Sequence, residues 1–190
     1  DLASDTVGLK QNLARIPIRQ LHGGADDNVP ASEARRMAEA LEGVAEDYQL
    51  EIVEGKKHWW DGDAAKGADC VDWAPMFDFF ARHARPGPER VRRVRFLTPD
   101  PGVSADRDWA RIEAQIRPLE PSRVDLRRDP ALRRVVGTTE NVARLSLDVS
   151  FLTGEGPVTL ELDGAPLEAA SREGRITLRR RDDHWVAGDP

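Results

Sequence analysis

The sequence is poor in cysteine, with Cys70 alone among its 190 residues. A single cysteine excludes an internal disulfide framework. Aromatic residues are sparse at 6%, charged residues make up 33%, and no apolar run is long enough to cross a membrane. The net charge of −6 argues against a nucleic-acid partner. We therefore expect a polar chain of one or two domains that binds neither nucleic acid nor membrane.

The first part of the chain alternates between strand and helix patterns. Residues 16–21 and 48–54 are short apolar-rich runs, and residues 31–43 space their apolar side chains as an amphipathic helix does. This order predicts a βαβ unit whose two strands lie parallel. A less regular apolar stripe predicts a helix over residues 1–13 as well.

Two polar loops follow the predicted strands. The first reads HGGADDNVP from residue 22, and the second reads GKKHWW from residue 55. In open parallel sheets such loops meet at one edge, so a carboxylate of Asp26 or Asp27 is expected beside the imidazole of His58. A carboxylate that holds one ring nitrogen of a histidine lets the other nitrogen take a proton from a hydroxyl. The loops therefore indicate acid–base chemistry, with the choice between the two aspartates open.

Together the two loops resemble a known family. The pattern His-Gly-x-x-Asp-x-x-Val-Pro, followed by a strand and a His-Trp-Trp loop, resembles the carboxyl-terminal end of the α/β-hydrolase domain in the prolyl oligopeptidase family of serine peptidases. The resemblance covers roughly residues 1–86. It implies that Asp26 is the acid and His58 the base of a Ser-Asp-His triad, and that Asp27 is only a neighbour. One departure is Lys57, where such enzymes often have glycine.

The sequence has no obvious nucleophile for this triad. Hydrolases of this fold carry the serine in Gly-x-Ser-x-Gly upstream of the acid and base, and that pattern does not occur here. Ser4 and Ser32 lack the flanking glycines, and Cys70 is expected to be a buried small residue. We therefore expect the carboxyl-terminal part of a longer enzyme, inactive alone, whose serine and oxyanion hole come from upstream residues.

The residues around His58 offer alternative roles. Trp59 and Trp60 either contact a substrate or pack the loop onto the sheet. The aspartates that follow lack the spacing of a calcium loop, and His22 has no companion at zinc-ligand spacing. We therefore expect no metal and no other cofactor.

Residues 72–83 predict a terminal helix of the hydrolase sheet. Asp72 is expected to cap this helix, and His83 at its carboxyl end is expected to be structural. The predicted apolar face consists of Met76, Phe77, Phe80 and Ala84.

Beyond a predicted boundary at residues 86 and 87, the apolar pattern alternates, as in half-buried strands. The predicted strands cover residues 91–97, 109–116, 123–126, 132–136, 142–151, 158–162, 167–170, 176–180 and 185–186. Turn signals at residues 163–164 and 182–183 predict two hairpins. Basic clusters such as residues 179–181 are expected on solvated strand faces.

The expected fold is thus α/β followed by all-β: the carboxyl-terminal part of an α/β-hydrolase sheet over residues 1–86, then an antiparallel, sandwich-like domain over residues 87–190. As the resemblance implies, some bacterial family members carry such a β-rich extension. The leading hypothesis is a serine hydrolase or peptidase that acts on peptides or small esters and amides through Asp26 and His58. The alternative is a binding module whose β domain recognises a carbohydrate or a protein.

Overall fold

The computed structural model describes residues 5–188, which fall into two compact units. We call Lys10–Arg85 the α/β unit, and residues 86–190 with residues 1–9 the β unit. The helix predicted over residues 1–13 lies partly outside the described residues, and the structure has a 3-10 helix at Lys10–Leu13. None of the helices in the described part of the chain has the length and apolar character that crossing a membrane requires.

The α/β unit begins with the predicted βαβ arrangement. It comprises strand β1 (Ile18–Gly23), helix α1 (Ala31–Leu41), strand β2 (Tyr48–Val53) and helix α2 (Ala74–Arg82). Strands β1 and β2 pair in parallel, with His22 opposite Ile52, so the predicted strand direction is confirmed. Helix α1 starts directly after Pro30, because proline fits the start of a helix and cannot continue one from within.

Helix α2 differs from the prediction in its cap and in its buried face. Its N-cap residue is Trp73, and the Asp72 carboxylate instead accepts the backbone N–H of Asp69 at 3.1 Å. The buried side chain is Phe79, whereas Phe77 and Phe80 are more than half exposed. The predicted apolar face is therefore wrong, because the helix is anchored by Phe79 and by the His83 ring, which stack at 4.2 Å.

The β unit contains two five-stranded sheets. In spatial order, the first sheet consists of β10 (Ala165–Ala169), β9 (Val158–Leu162), β7 (Arg134–Glu140), β6 (Ser122–Asp129) and β3 (Arg93–Thr98). The second consists of β12 (His184–Ala187), β11 (Arg175–Arg181), β8 (Val142–Asp148), β5 (Ala110–Gln115) and β4 (Asp106–Arg107). Every predicted strand is present, and the short β4 is additional.

One strand pair departs from the predicted antiparallel arrangement. Strands β7 and β9 pair in parallel, while the strand between them in sequence, β8, pairs with β5 and β11 in the other sheet. The chain thus crosses to the second sheet and returns, so β9 runs alongside β7 in the same direction. Alternation identifies the buried face of a strand but not its neighbour.

The two sheets share one hydrophobic core. Apolar side chains of both sheets, such as Leu126 and Leu160 from the first and Leu145 and Leu178 from the second, are fully buried in a single cluster. This is the layered arrangement of a β-sandwich. The chain is therefore β-rich with several sheets, as predicted.

A partly buried carboxylate links the end of one hairpin to its surroundings. Asp163 and Gly164 have φ values of 55° and 81°, as the predicted tight turn between β9 and β10 requires. The Asp163 carboxylate accepts hydrogen bonds from Thr139, from the Arg180 guanidinium at 2.9 Å and from the Trp185 indole at 3.0 Å. Arg180 is thus half-buried, whereas its neighbours in the 179–181 cluster are exposed as predicted.

Candidate active site

The loops that follow β1 and β2 are joined by backbone hydrogen bonds. The N–H of Gly24 donates to the Val53 carbonyl at 2.8 Å, and the N–H of Ala25 donates to the Lys56 carbonyl at 2.8 Å. The parallel pairing therefore continues past the ends of both strands. This continuation places the residues after Ala25 beside those after Lys56.

The absence of a side chain at Gly23 permits this close approach. A Cβ at this position would lie 2.1 Å from the Lys57 carbonyl oxygen and 2.4 Å from that of Lys56. Both distances are far below van der Waals contact, and both neighbours are backbone atoms. Glycine is therefore needed at this position because the backbone of the second loop passes so close to it, and not because of an unusual φ angle.

Asp26 lies at the centre of the site and makes the predicted contact. One carboxylate oxygen, Oδ1, accepts the backbone N–H groups of Asn28 at 2.9 Å and Val29 at 2.8 Å. The other, Oδ2, lies 2.9 Å from Nδ1 of His58. Of the two aspartates considered from the sequence, it is thus Asp26 that lies within hydrogen-bond distance of the His58 ring.

The surroundings of Asp26 favour its ionised form. Desolvation raises the pKa of the carboxyl group, but the hydrogen bonds from Val29, His58 and Asn28 outweigh it and lower the pKa from 3.8 to about 2. The Asp26 side chain is 3% exposed and that of His58 is 47% exposed. A covered carboxylate thus faces a more open imidazole.

This geometry suits proton transfer. With the His58 Nδ1–H donated to Asp26, the lone pair of the neutral ring is on Nε2, at the far side of the ring from the carboxylate. A neutral imidazole held in this tautomer accepts a proton from a hydroxyl, and the carboxylate stabilises the imidazolium that results.

Asp27 has a different partner. Its carboxylate lies 3.2 Å from Nζ of Lys57, and the hydrogen bond from this lysine lowers the pKa of Asp27. Asp26 pairs with His58 while Asp27 pairs with Lys57, so consecutive residues of the two loops pair in opposite order. Lys57, the departure from the family pattern, thus forms an ion pair beside the Asp26–His58 contact.

His22 is a neighbour of Asp26 that the sequence did not reveal. Its Nε2 lies 3.0 Å from the Val29 carbonyl oxygen and 3.3 Å from Oδ2 of Asp26. Sequence reasoning considered this histidine only as a metal ligand. The available signal was its position near the end of a strand, four residues before the acid.

The two tryptophans have different environments. The indole N–H of Trp60 donates to the Ala68 carbonyl at 3.1 Å, so this residue packs the loop. Trp59 is 64% exposed. The aspartates nearby serve the backbone, since Asp69 accepts the N–H groups of Gly62 and Asp63. Within residues 5–188, no three His, Cys, Asp or Glu side chains are grouped so as to hold a metal ion.

Comparison with known proteins supports the resemblance. The model of the prolyl oligopeptidase family matches residues 8–86. An uncharacterized secreted protein of Arthroderma benhamiae is 25% identical over 186 residues, which are 95% of this chain and 19% of that protein. The chain thus spans less than a quarter of the length of this relative. No solved structure matches this chain. Residues 8–86, which contain both loops of the site, therefore match the prolyl oligopeptidase family, as the two motifs predict.

Proposed function

We propose that the chain supplies the acid and the base of a serine hydrolase of the peptidase type. The observation that carries this proposal is the 2.9 Å contact between Oδ2 of Asp26 and Nδ1 of His58. In the proposed mechanism, Nε2 of His58 takes the proton of a serine hydroxyl as that oxygen attacks the substrate carbonyl carbon. The imidazolium then protonates the leaving group, while Asp26 remains ionised.

The nucleophile and the oxyanion hole belong to upstream residues in this proposal. Strands β1 and β2 are then the last strands of an α/β-hydrolase sheet, and the site lies at the carboxyl ends of both strands, where such sheets hold their functional loops. The family match favours peptides as substrates. In this proposal the indole of Trp59, which is exposed and next to the base, contacts them.

The test uses the protein extended upstream through its Gly-x-Ser-x-Gly segment, with hydrolysis of peptide substrates as the readout. His58→Ala and Asp26→Asn should each lower kcat on the order of 10⁴-fold or more, because the base and its tautomer are lost. Asp27→Asn is the matched control and should retain activity within a few-fold. Full activity in His58→Ala, or an equal loss in Asp27→Asn, would refute the assignment.

A second candidate function is binding by the β unit. A groove of about 760 Å³ in this unit is lined by Arg175, Thr177 and Arg179 from β11, together with Arg172 and Glu173. Its arginines suit an anionic segment of a carbohydrate or protein. Absence of a Gly-x-Ser-x-Gly segment upstream in the reading frame would favour this candidate. Binding of dextran sulfate to the chain, weakened by Arg175→Ala and Arg179→Ala, would support it directly.

A further inference from the structure

The carboxylate of Asp26 has an imidazole on two sides. His58 approaches Oδ2 with Nδ1 at 2.9 Å, and His22 approaches the same oxygen with Nε2 at 3.3 Å. The second imidazole lies on β1 rather than on the loop that carries the proposed base. The two rings therefore reach one oxygen from different elements.

The partners of His22 determine where its proton lies. Nε2 is 3.0 Å from the Val29 carbonyl oxygen. A carbonyl oxygen only accepts hydrogen bonds, so Nε2 of His22 must carry a hydrogen. The same nitrogen lies 3.3 Å from Oδ2 of Asp26, while its N–H is directed at the Val29 carbonyl.

Burial separates the two imidazoles further. The side chain of His22 is 12% exposed and that of His58 is 47% exposed. A hydrogen bond shielded from water is electrostatically stronger than an exposed one. The inner ring is thus held by the Val29 carbonyl beside the acid, whereas the outer ring is open to a reacting group.

His22 also closes the turn that shapes the acid. Asp26 holds the backbone N–H of Val29 through Oδ1, and His22 holds the carbonyl of the same residue. The N–H of Val29 is therefore bonded to the acid, and the carbonyl of Val29 is bonded to a residue of β1. Rotation of the carboxylate away from His58 would also break its hydrogen bond to the N–H of Val29.

We propose that His22 is a positioning residue, an inner imidazole that holds the Val29 carbonyl and lies against Oδ2, so that the Asp26 carboxylate stays directed at His58. Its effect on turnover rests on the proposed function, but its effect on Asp26 does not. It acts through the acid and touches no reacting atom. The charged residues that follow the acid and precede the base in the chain, Asp27 and Lys57, pair with each other.

The variants separate hydrogen bonding from shape. His22→Phe keeps a planar ring and removes the donor, whereas His22→Gln places an amide N–H near the position of Nε2. His83 provides the matched control, because it too contacts a carbonyl, that of Phe79 at 2.7 Å, and a carboxylate, that of Asp47 at 3.0 Å. His83→Phe thus removes equivalent contacts elsewhere in the α/β unit, and His83→Gln is the counterpart of His22→Gln.

The first measurement uses the 190-residue chain and needs no enzymatic activity. Long-range proton–nitrogen NMR of the unmodified chain should show His22 protonated at Nε2, and ¹³C titration should show the pKa of Asp26 rising in His22→Phe but not in His83→Phe. His22→Gln should restore the low pKa. A His22 ring protonated only at Nδ1, or an unchanged Asp26 pKa in a folded His22→Phe chain, would overturn the inference. If His22→Phe does not fold, the tautomer and the His22→Gln titration decide.

The second measurement uses the upstream-extended protein. His22→Phe should lower kcat about 10- to 100-fold with little change in KM, as expected when a catalytic group is slightly misplaced, and His22→Gln should recover most of that loss. Unchanged kcat in His22→Phe would overturn the inference while a loss in His58→Ala still upheld the proposed function. An active His58→Ala enzyme would instead refute the proposed function and leave the NMR result for Asp26 intact.

Discussion

Among single residues, Gly23 has little room for a side chain. We expect Gly23→Ala to destabilise the α/β unit by about 1–3 kcal/mol, because its Cβ would meet two backbone carbonyls that cannot rotate away. Gly24→Ala is the control, since its Cβ would lie 3.2 Å from the Val53 carbonyl and needs only a small shift. Urea denaturation measures both effects, and an NMR contact between Asp26 and His58 reports the site. Equal stability of the two variants would contradict this prediction.

Asp26 should make stability depend on pH. Its pKa is about 2 in the folded chain against an ordinary value of 3.8, so its contribution is present above about pH 4 and is lost as the pH falls through about 2. Asp26→Asn lacks this contribution. The difference in urea midpoint between the two proteins should therefore shrink from about pH 5 to about pH 2. The other aspartates with lowered pKa are common to both proteins and cancel, so a difference independent of pH would contradict the assignment.

The sequence predicted some of these residues and not others. That an aspartate of the first loop meets His58 follows from chain order, because loops after adjacent parallel strands meet at one edge of the sheet. The choice of Asp26 over Asp27 came from the family resemblance. Contacts that depend on packing were not predictable in this way. The exposure of Trp59, the covering of Trp60 and the approach of His22 to Asp26 are set by how the loops fold back, and local sequence does not determine that.

Among structural elements, the β9–β10 turn carries the most consequential ion pair. Asp163→Asn keeps a residue that tolerates φ of 55° but removes the charge that Arg180 and Trp185 contact. We expect it to lower the free energy of unfolding by about 1.5–3 kcal/mol, because the bonds lost are charge-assisted and half-buried. The control on the adjoining strand β9 is Glu161→Gln, whose pair with Arg134 is exposed and should contribute less than about 1 kcal/mol. Similar decreases in the urea midpoint for Asp163→Asn and Glu161→Gln would contradict this ranking.

Strand positions were predictable because alternation is a local property, and the structure has a strand at each predicted place. The parallel pairing of β7 with β9 was not, since it results from β8 joining the other sheet. The buried side of α2 was misjudged for a related reason. Three phenylalanines stand close together on that helix, and only the tertiary surroundings select Phe79 as the anchor.

At the scale of the whole molecule, the two units differ in how much they bury. Among the described residues, the buried hydrophobic side chains of the α/β unit are Ala34, Leu41, Trp73 and Phe79, and all the others belong to the β unit. Parallel strands are usually covered on both faces, yet the side chains of β1 and β2 are largely half-buried. The β unit therefore holds most of the stabilising apolar contacts of this chain.

We expect this difference to appear in amide hydrogen exchange. Amides of β1 and β2 should exchange at least about tenfold faster than those of β8 and β11, because opening the smaller unit exposes less apolar surface. Mass spectrometry of the 190-residue chain under native conditions measures both sets at once. Comparable protection in the two units would show that the α/β unit is stabilised by more than its own core.

The opposed pairing of the two loops limits how their lengths can evolve. Surface loops generally tolerate inserted or deleted residues. Here one residue added between Gly55 and His58 would shift His58 away from Asp26 and Lys57 away from Asp27 in a single event. No single point substitution could restore both pairs. The spacing within each loop is therefore expected to be invariant among functional relatives even where the residues themselves differ, with length variation confined to segments such as the turn at Gly43, which has open space around it.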